Sequence, residues 1–219
     1  DAAPDSDDFG LLRLAGETWL AQGTTPLLPV RDMRLEGLHN AANALAALGL
    51  CRAIGLPFKP LLETLKTFGG LPHRVERVAE AEQVVYYDDS KGTNVGATVA
   101  ALNGFARQFA GTPRKVVLIA GGEGKGQDFG PLRPAVAEVV RAVVLIGRDA
   151  PALRAALAGS GVPLVDAADM DEAVRRAREF ACAGDVVLLS PACASLDMYR
   201  NYKHRGEAFR AALERVTRT

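Results

Sequence analysis

The sequence predicts an α/β fold, a mostly parallel sheet with helices on both faces, preceded by a smaller β/α piece. Three observations lead there. Short apolar runs recur, such as Val116-Val117-Leu118-Ile119-Ala120 and Val186-Val187-Leu188-Leu189. They suit strands buried on both faces. Segments with helical apolar spacing lie between these runs, as in a sheet wound with crossover helices. The loops after the runs are rich in Gly, Ser and Asp, and such loops form the ligand-binding edge of open α/β sheets.

The elements follow in order. Residues 1–35 hold three short β-like runs, Gly10–Leu14, Thr18–Ala21 and Pro26–Val30, separated by turn residues as in a meander. Leu38, Ala41, Ala42, Leu45, Leu48 and Cys51 then mark a helix that Gly55 and Pro57 stop. Pro60 is expected to open a second helix carrying Leu61, Leu62, Leu65 and Phe68, ended by Gly69-Gly70. The Gly-Gly-Leu-Pro link suits a hinge and divides the chain into residues 1–71 and 72–219. Beyond it, strands are expected at Val84–Asp88, Lys115–Ala120, Ala142–Gly147, Leu164-Val165 and Asp185–Leu189. The helices between them centre on Val95–Phe109, Leu132–Val140 and Ala152–Leu157. A further helix is capped by Asp169 with Glu172, and the last ends near Val216.

Composition excludes several classes. Lys+Arg and Asp+Glu each total 26, so the basic excess of a nucleic-acid surface is missing. No signal peptide or bilayer-length apolar run is evident. Cys51, Cys182 and Cys193 are odd in number, scattered and without metal-ligand spacing, which suits a reducing cytoplasm. The opening Asp1-Ala2-Ala3-Pro4-Asp5-Ser6-Asp7-Asp8, with no initiator Met, reads as part of a longer protein.

Candidate chemistry sits in three strand-end loops. Asp88-Asp89-Ser90-Lys91-Gly92-Thr93-Asn94 offers carboxylates for a ribose hydroxyl or a cation, a lysine for negative oxygens, and Thr93 as donor or cap. An Asx-turn with an N-cap and a solvated Lys91 is the plain alternative. Gly121-Gly122-Glu123-Gly124-Lys125-Gly126-Gln127-Asp128 lets backbone approach a ligand and brings Lys125 as a point charge. It is not a nucleotide phosphate loop, because Gly126 stands where Ser or Thr should follow the lysine, and a flexible surface loop is the alternative. Ser190-Pro191-Ala192-Cys193-Ala194-Ser195-Leu196-Asp197 joins a strand end to a helix start, where free N–H groups favour an anion. Ser195 is its candidate hydroxyl and Asp197 the candidate helix cap. A Cys193 nucleophile with His204 as base lacks an activating context. Outside the sheet, His39, Asn40 and Asn43 could hold a purine or ribose, or simply cap a helix. Arg74 on the hinge could reach a phosphate across a cleft, or pair with Glu76 at the surface.

Five segments, in this order and spacing, resemble the Mur ligase family of peptidoglycan synthesis across about residues 30–210. They are Leu35-Glu36-Gly37-Leu38-His39-Asn40 through Ala47, Gly70-Leu71-Pro72-His73-Arg74, Asp89–Asn94, Gly121–Lys125, and Ser190–Asp197 followed by Asn201. The last loop points to the D-glutamate-adding branch. The resemblance implies that residues 1–71 are the last part of a central ATPase domain and 72–219 a C-terminal Rossmann-like domain. It implies an ATP-dependent amide ligase that forms an acyl phosphate on UDP-N-acetylmuramoyl-L-alanine, which the D-glutamate amine attacks, in cell-wall synthesis in the cytoplasm. It implies ATP and Mg²⁺, with the Mg²⁺ ligands upstream of this chain, small-molecule partners only, and a monomer.

By the same resemblance, Asn43 contacts adenosine with Asn40 nearby, Arg74 reaches the ATP phosphates, and Asp89 holds the ribose. Lys91 lies beside nucleotide and acyl phosphate, so Lys91 and Arg74 carry the catalytic charge. Thr93, Lys125, Ser195, the Leu196 backbone and the Tyr202 backbone bind D-glutamate. Tyr202 stands where the family usually has Phe, and Gly92 where it usually has Ala. Without a phosphate loop, the chain alone is expected not to hydrolyse ATP. Another amino-acid-adding ligase of the family, or a non-catalytic amino-acid or nucleotide module, are the alternatives.

Overall fold

A computed structural model of the protein describes residues 5, 7–35 and 37–217. Glu36 of the Leu35–Asn40 segment, and residues 1–4 and 6 of the acidic opening, lie outside the described residues. The chain forms two compact units, Asp1–Gly70 and Leu71–Thr219.

In the first unit, β1 (Phe9–Leu14), β2 (Glu17–Gln22) and β3 (Thr25–Pro29) form an antiparallel meander. Ala15 and Gly16 both take positive φ in the first hairpin, the geometry that matches strand twist. α1 (Leu38–Ala53) and α2 (Phe58–Thr67) follow. Leu20 and Leu28 of the sheet bury with Ala41, Ala44 and Leu48 of α1. α2 begins before Pro60, with Pro57 as its N-cap residue. Pro60 therefore lies inside the first turn, where a missing N–H costs nothing.

The second unit is a six-stranded sheet. Its strands are β4 (Glu76–Ala81), β5 (Val84–Asp88), β6 (Val116–Gly121), β7 (Val140–Ile146), β8 (Leu164–Asp166) and β9 (Val186–Leu189), in the order β4-β5-β9-β6-β7-β8. All neighbours pair in parallel except β4 with β5. Strand β4 is absent from the sequence expectation. It joins β5 through Glu82 and Gln83, both at left-handed φ (50° and 62°), a turn that normally announces itself with Asn-Gly.

The helices are α3 (Val95–Gln108), α4 (Leu132–Val139), α5 (Ala150–Leu157), α6 (Met170–Phe180) and α7 (Tyr202–Thr217). Alternate residues of β6 serve opposite faces. Leu118 packs with Leu102, Phe105, Leu132 and Leu153 of α3, α4 and α5, and Ile119 with Val174, Phe209 and Leu213 of α6 and α7. Each such leucine or phenylalanine contributes about 1.5–3 kcal/mol by leaving water. At the start of α6, Asp169 Oδ1 accepts from Glu172 N–H (2.8 Å), while Glu172 Oε2 reaches back to Ala168 N–H (2.9 Å). The capping pair thus closes one residue earlier than the usual reciprocal bond.

Helix α7 does not start directly after the Ser190–Asp197 loop. Asn201 Oδ1 accepts from His204 N–H (2.9 Å) and caps it. Asp197, expected as the cap, instead accepts from Arg148 N–H (2.8 Å) in the loop after β7. The chain leaves β6 for α4 on one face and β9 for α7 on the other, so the crevice between the carboxyl ends of β6 and β9 is the switch point of the sheet. Ligands of open α/β sheets bind at such a crevice.

Candidate functional site

Because β5, β9, β6 and β7 run parallel, the loops that follow them share one edge. Two glycines let them meet there. Gly121 and Gly122 take φ of 129° and 128°, and a Cβ would overlap the carbonyl oxygens of Ile146 and Ala194 respectively. The loops after β6 and β9 then bond directly, Glu123 N–H to Ala194 O and Ala194 N–H to Glu123 O, both 2.9 Å.

Polar side chains fasten the rest. Asp89 is 6% exposed. Its Oδ2 accepts from Ser190 Oγ–H (2.6 Å) and its Oδ1 from Val75 N–H (3.2 Å). Burial pushes this carboxyl up to about 6, against the pull of those two bonds. Arg205 is fully buried and donates to Ser90 Oγ (3.0 Å), Ser90 O (2.9 Å) and Cys193 O (3.1 Å). Burial brings its guanidinium down to about 10, so it stays charged at neutral pH. Gln127 Oε1 accepts from Val95 N–H (2.9 Å) and its Nε2 donates to Ala192 O (2.7 Å).

A cleft of about 410 Å³ opens beside this rim, lined by Leu71, Pro72, His73, Arg74, Lys91, Tyr202 and Lys203. The Lys91 ammonium sits 4.1 Å from the centre of the Tyr202 ring, a cation–π contact that fixes it at the mouth. Arg74 is exposed at the same cleft. Three cations around an aromatic ring make a lining suited to anionic, partly planar ligands.

The sequence candidates fall as follows. Thr93 is half-buried, and Asn94 rather than Thr93 caps α3, accepting from Ala97 N–H (2.9 Å). Lys125 is exposed and held at φ 54° beside Gly124, whose N–H donates to Asp149 Oδ2 (2.6 Å). A non-glycine residue in that region costs on the order of 1 kcal/mol. Ser195 is 3% exposed and Leu196 62% exposed. The loops of Thr93, Lys125 and Ser195 therefore share one edge, with Lys91 and Tyr202 at the adjoining cleft. Asn40 (half-buried) and Asn43 (exposed) lie on α1 in the other unit, and the side chain of His39 lies outside the described residues. The N-cap residue of α1 is Gly37.

Three smaller points follow. Cys193 is fully buried and its thiol is pushed up by burial to about 12, so it is protonated and no nucleophile. Glu76 pairs with Arg210 (2.6 Å) and accepts from His73 N–H (2.9 Å). The alternative of a surface pair between Arg74 and Glu76 is therefore not the arrangement that forms. His73, Glu76 and Asp88 bring donor atoms within 4.8 Å of one another. The Arg210 guanidinium lies against this cluster, 2.6 Å from Glu76 and 3.7 Å from Asp88, and offsets one of its two carboxylate charges.

Gln127 lies in a loop that the sequence singles out but without a role of its own there, and Arg205 escaped the sequence reading. Arg205 did leave a signal, since it holds a core position four residues before Phe209 where an apolar side chain belongs.

The sequence profile described as "Mur ligase, glutamate ligase domain" matches residues 73–193. The UDP-N-acetylmuramoylalanine–D-glutamate ligase of Nitrosomonas europaea is 56% identical over 218 residues, covering 99% of this chain and 45% of the relative. The enzyme of the same name from Nitrosospira multiformis is 59% identical over 213 residues, covering 97% and 44%. The chain thus spans less than half the length of these curated relatives. Among solved structures, the UDP-N-acetylmuramate–alanine ligase of Thermotoga maritima shares the fold at TM-score 0.64 and 17% identity, covering 91% of this chain and 43% of that one. Mycobacterium tuberculosis folylpolyglutamate synthase does so at 0.65 and 19%, covering 86% and 46%. With its profile match over more than half its length, and its loops assembled at the switch point of the sheet, the chain belongs to the Mur ligase family.

Proposed function

We propose that this chain is the C-terminal portion of an ATP-dependent ligase that adds D-glutamate to UDP-N-acetylmuramoyl-L-alanine in cytoplasmic peptidoglycan synthesis. The observation that carries the reading is the gathering of the Thr93, Lys125 and Ser195 loops at one sheet edge, on a chain 56–59% identical to relatives named for that reaction.

The chain's own residues divide the work. Lys125 and the hydroxyls of Thr93 and Ser195 hold the carboxylates of the amino acid, with the backbone of Leu196 and Tyr202 completing the grip. Orienting the amine toward a fixed electrophile turns a bimolecular step into a positioned one. Lys91 and Arg74 neutralise charge on the nucleotide and the acyl phosphate, the largest electrostatic demand of phosphoryl chemistry. Asp89 is ionised above about pH 6, and each of its oxygens keeps a lone pair for a ribose hydroxyl. Asn43 and Asn40 present amides for the adenosine part. ATP and Mg²⁺ complete the site. The ion supplies charge neutralisation for phosphate. Its ligands and the phosphate loop belong to the remainder of the polypeptide, so the chain alone is expected to be inactive. Among the described residues no helix is long and apolar enough to cross a membrane. We infer a monomer acting on small molecules.

The test uses the complete polypeptide of the reading frame that contains this chain. ADP release should require D-glutamate, with L-alanine and diaminopimelate inert. Lys125→Ala should raise the KM for D-glutamate at least about tenfold, the loss of one charge-assisted hydrogen bond, and leave that for ATP unchanged. Consumption of a different amino acid, or no ATP-dependent amide formation at all, would overturn the reading.

A further inference from the structure

Strands β5 and β6 are not neighbours, because β9 lies between them. No ladder of backbone bonds joins the loops that follow them directly, since they lie two strand spacings or roughly 10 Å apart. A side chain that spans all three loops adds the direct tie, and Gln127 is that side chain. It leaves the loop after β6, accepts from Val95 N–H at the start of α3 (2.9 Å), and donates to Ala192 O in the loop after β9 (2.7 Å). The orientation of its amide is decided by its partners, since Val95 offers only a donor and Ala192 only an acceptor. Val95 N–H is one of the orphan donors of a helix start, and Gln127 satisfies it. Among the described residues, no other side chain of residues 122–131 bonds to either of the other two loops.

Each bond lands close to a proposed contact with the amino acid. Val95 is two residues after Thr93, Gln127 two after Lys125, and Ala192 three before Ser195. We propose that Gln127 is the positioning residue of the amino-acid subsite, fixing the separation of the Thr93, Lys125 and Ser195 loops so that together they fit a dicarboxylate amino acid. It touches no substrate itself. The proposal rests on the reading of the site given above.

The complete ligase carrying Gln127→Met, which keeps the length and loses both bonds, tests it. The KM for D-glutamate should rise about tenfold while the KM for ATP stays within about twofold, and the Val95 amide should exchange its hydrogen faster. A role confined to stability would lower Tm without splitting the two KM values. Should Gln127→Met fail to fold, Gln127→Asn keeps the amide but not the reach, and should show the same split. An unchanged KM for D-glutamate, or equal rises in both constants, overturns the proposal while leaving the ligase reading intact. A native enzyme with no D-glutamate-dependent activity overturns both.

Discussion

Asp89 should make the second unit less stable as pH rises through mildly acidic values. Its carboxyl is 6% exposed, and burial lifts it from 3.8 to about 6. The folded protein therefore keeps this proton at pH values where the unfolded chain has lost it. Over that window the folded state binds more protons, so the unfolding free energy falls with rising pH. The contribution is full below about 3.8 and gone above about 6. At about 1.36 kcal/mol per pH unit, the rise amounts to roughly 3 kcal/mol. Replacing Asp89 by Asn removes the titration. All four tyrosines, Tyr86, Tyr87, Tyr199 and Tyr202, lie in this unit, and the single tryptophan, Trp19, lies in the other. Urea unfolding followed by the tyrosine signal therefore isolates the unit that contains Asp89. Between about pH 4 and 7, the native protein should lose roughly 2 kcal/mol relative to Asp89→Asn. Hydrogen bonds and arginines outweigh burial at Glu76, Glu172 and Asp185 and hold them below their ordinary values. They tilt both curves the other way and cancel in the difference. Parallel curves, or a native protein that gains on the variant, would refute the argument that burial dominates at Asp89.

Two further outcomes follow from packing. Gly121→Ala places a Cβ against the Ile146 carbonyl at φ 129°, so soluble, folded protein should be lost, and near-normal yield with native tyrosine circular dichroism would contradict the close approach of β6 and β7. In alkylation of the folded protein followed by mass spectrometry, exposed Cys182 should react. Buried Cys193, its thiol near 12, should stay unlabelled until urea is added, and comparable rates would contradict its placement.

The parts legible in the sequence were those whose physics is local. Val116–Ala120 and Val186–Leu189 read as doubly buried strands because every residue in them is apolar, and the structure buries them all. The Asp89, Gly121 and Ser190 loops stood out because small and polar residues at strand ends have few other reasons to cluster. Strand β4 was hidden for the opposite reason. Its sequence Glu-Arg-Val-Ala-Glu-Ala is half charged, and its turn uses Glu82-Gln83 without a glycine. Asp197 carried a capping chemistry that local sequence could not direct, since its partner Arg148 lies 49 residues away. Gln127 and Arg205 belong to the same class, with partners 32, 65 and 115 residues distant.

Arg205 also bears on how a chain of zero formal charge could present the proposed anion site. Where loops fold back on a sheet edge, carbonyl oxygens turn inward and need donors that water cannot supply. One planar guanidinium meets three such needs, at Ser90 Oγ, Ser90 O and Cys193 O, a geometry that a lysine ammonium could not reproduce. The bond set is made of neutral acceptors, so the positive charge is not cancelled at contact distance. It remains charged at neutral pH, since burial takes it only to about 10. Its charge lies behind the loops that carry Lys91 and Lys125, and Asp88 and Asp197 partly offset it. Charge balance summed over a whole chain excludes a broad polyanion such as nucleic acid, but it says nothing against a rim a few residues wide where cations are concentrated. A small dicarboxylate amino acid senses that local field and not the sum, so a neutral composition does not count against the proposed site.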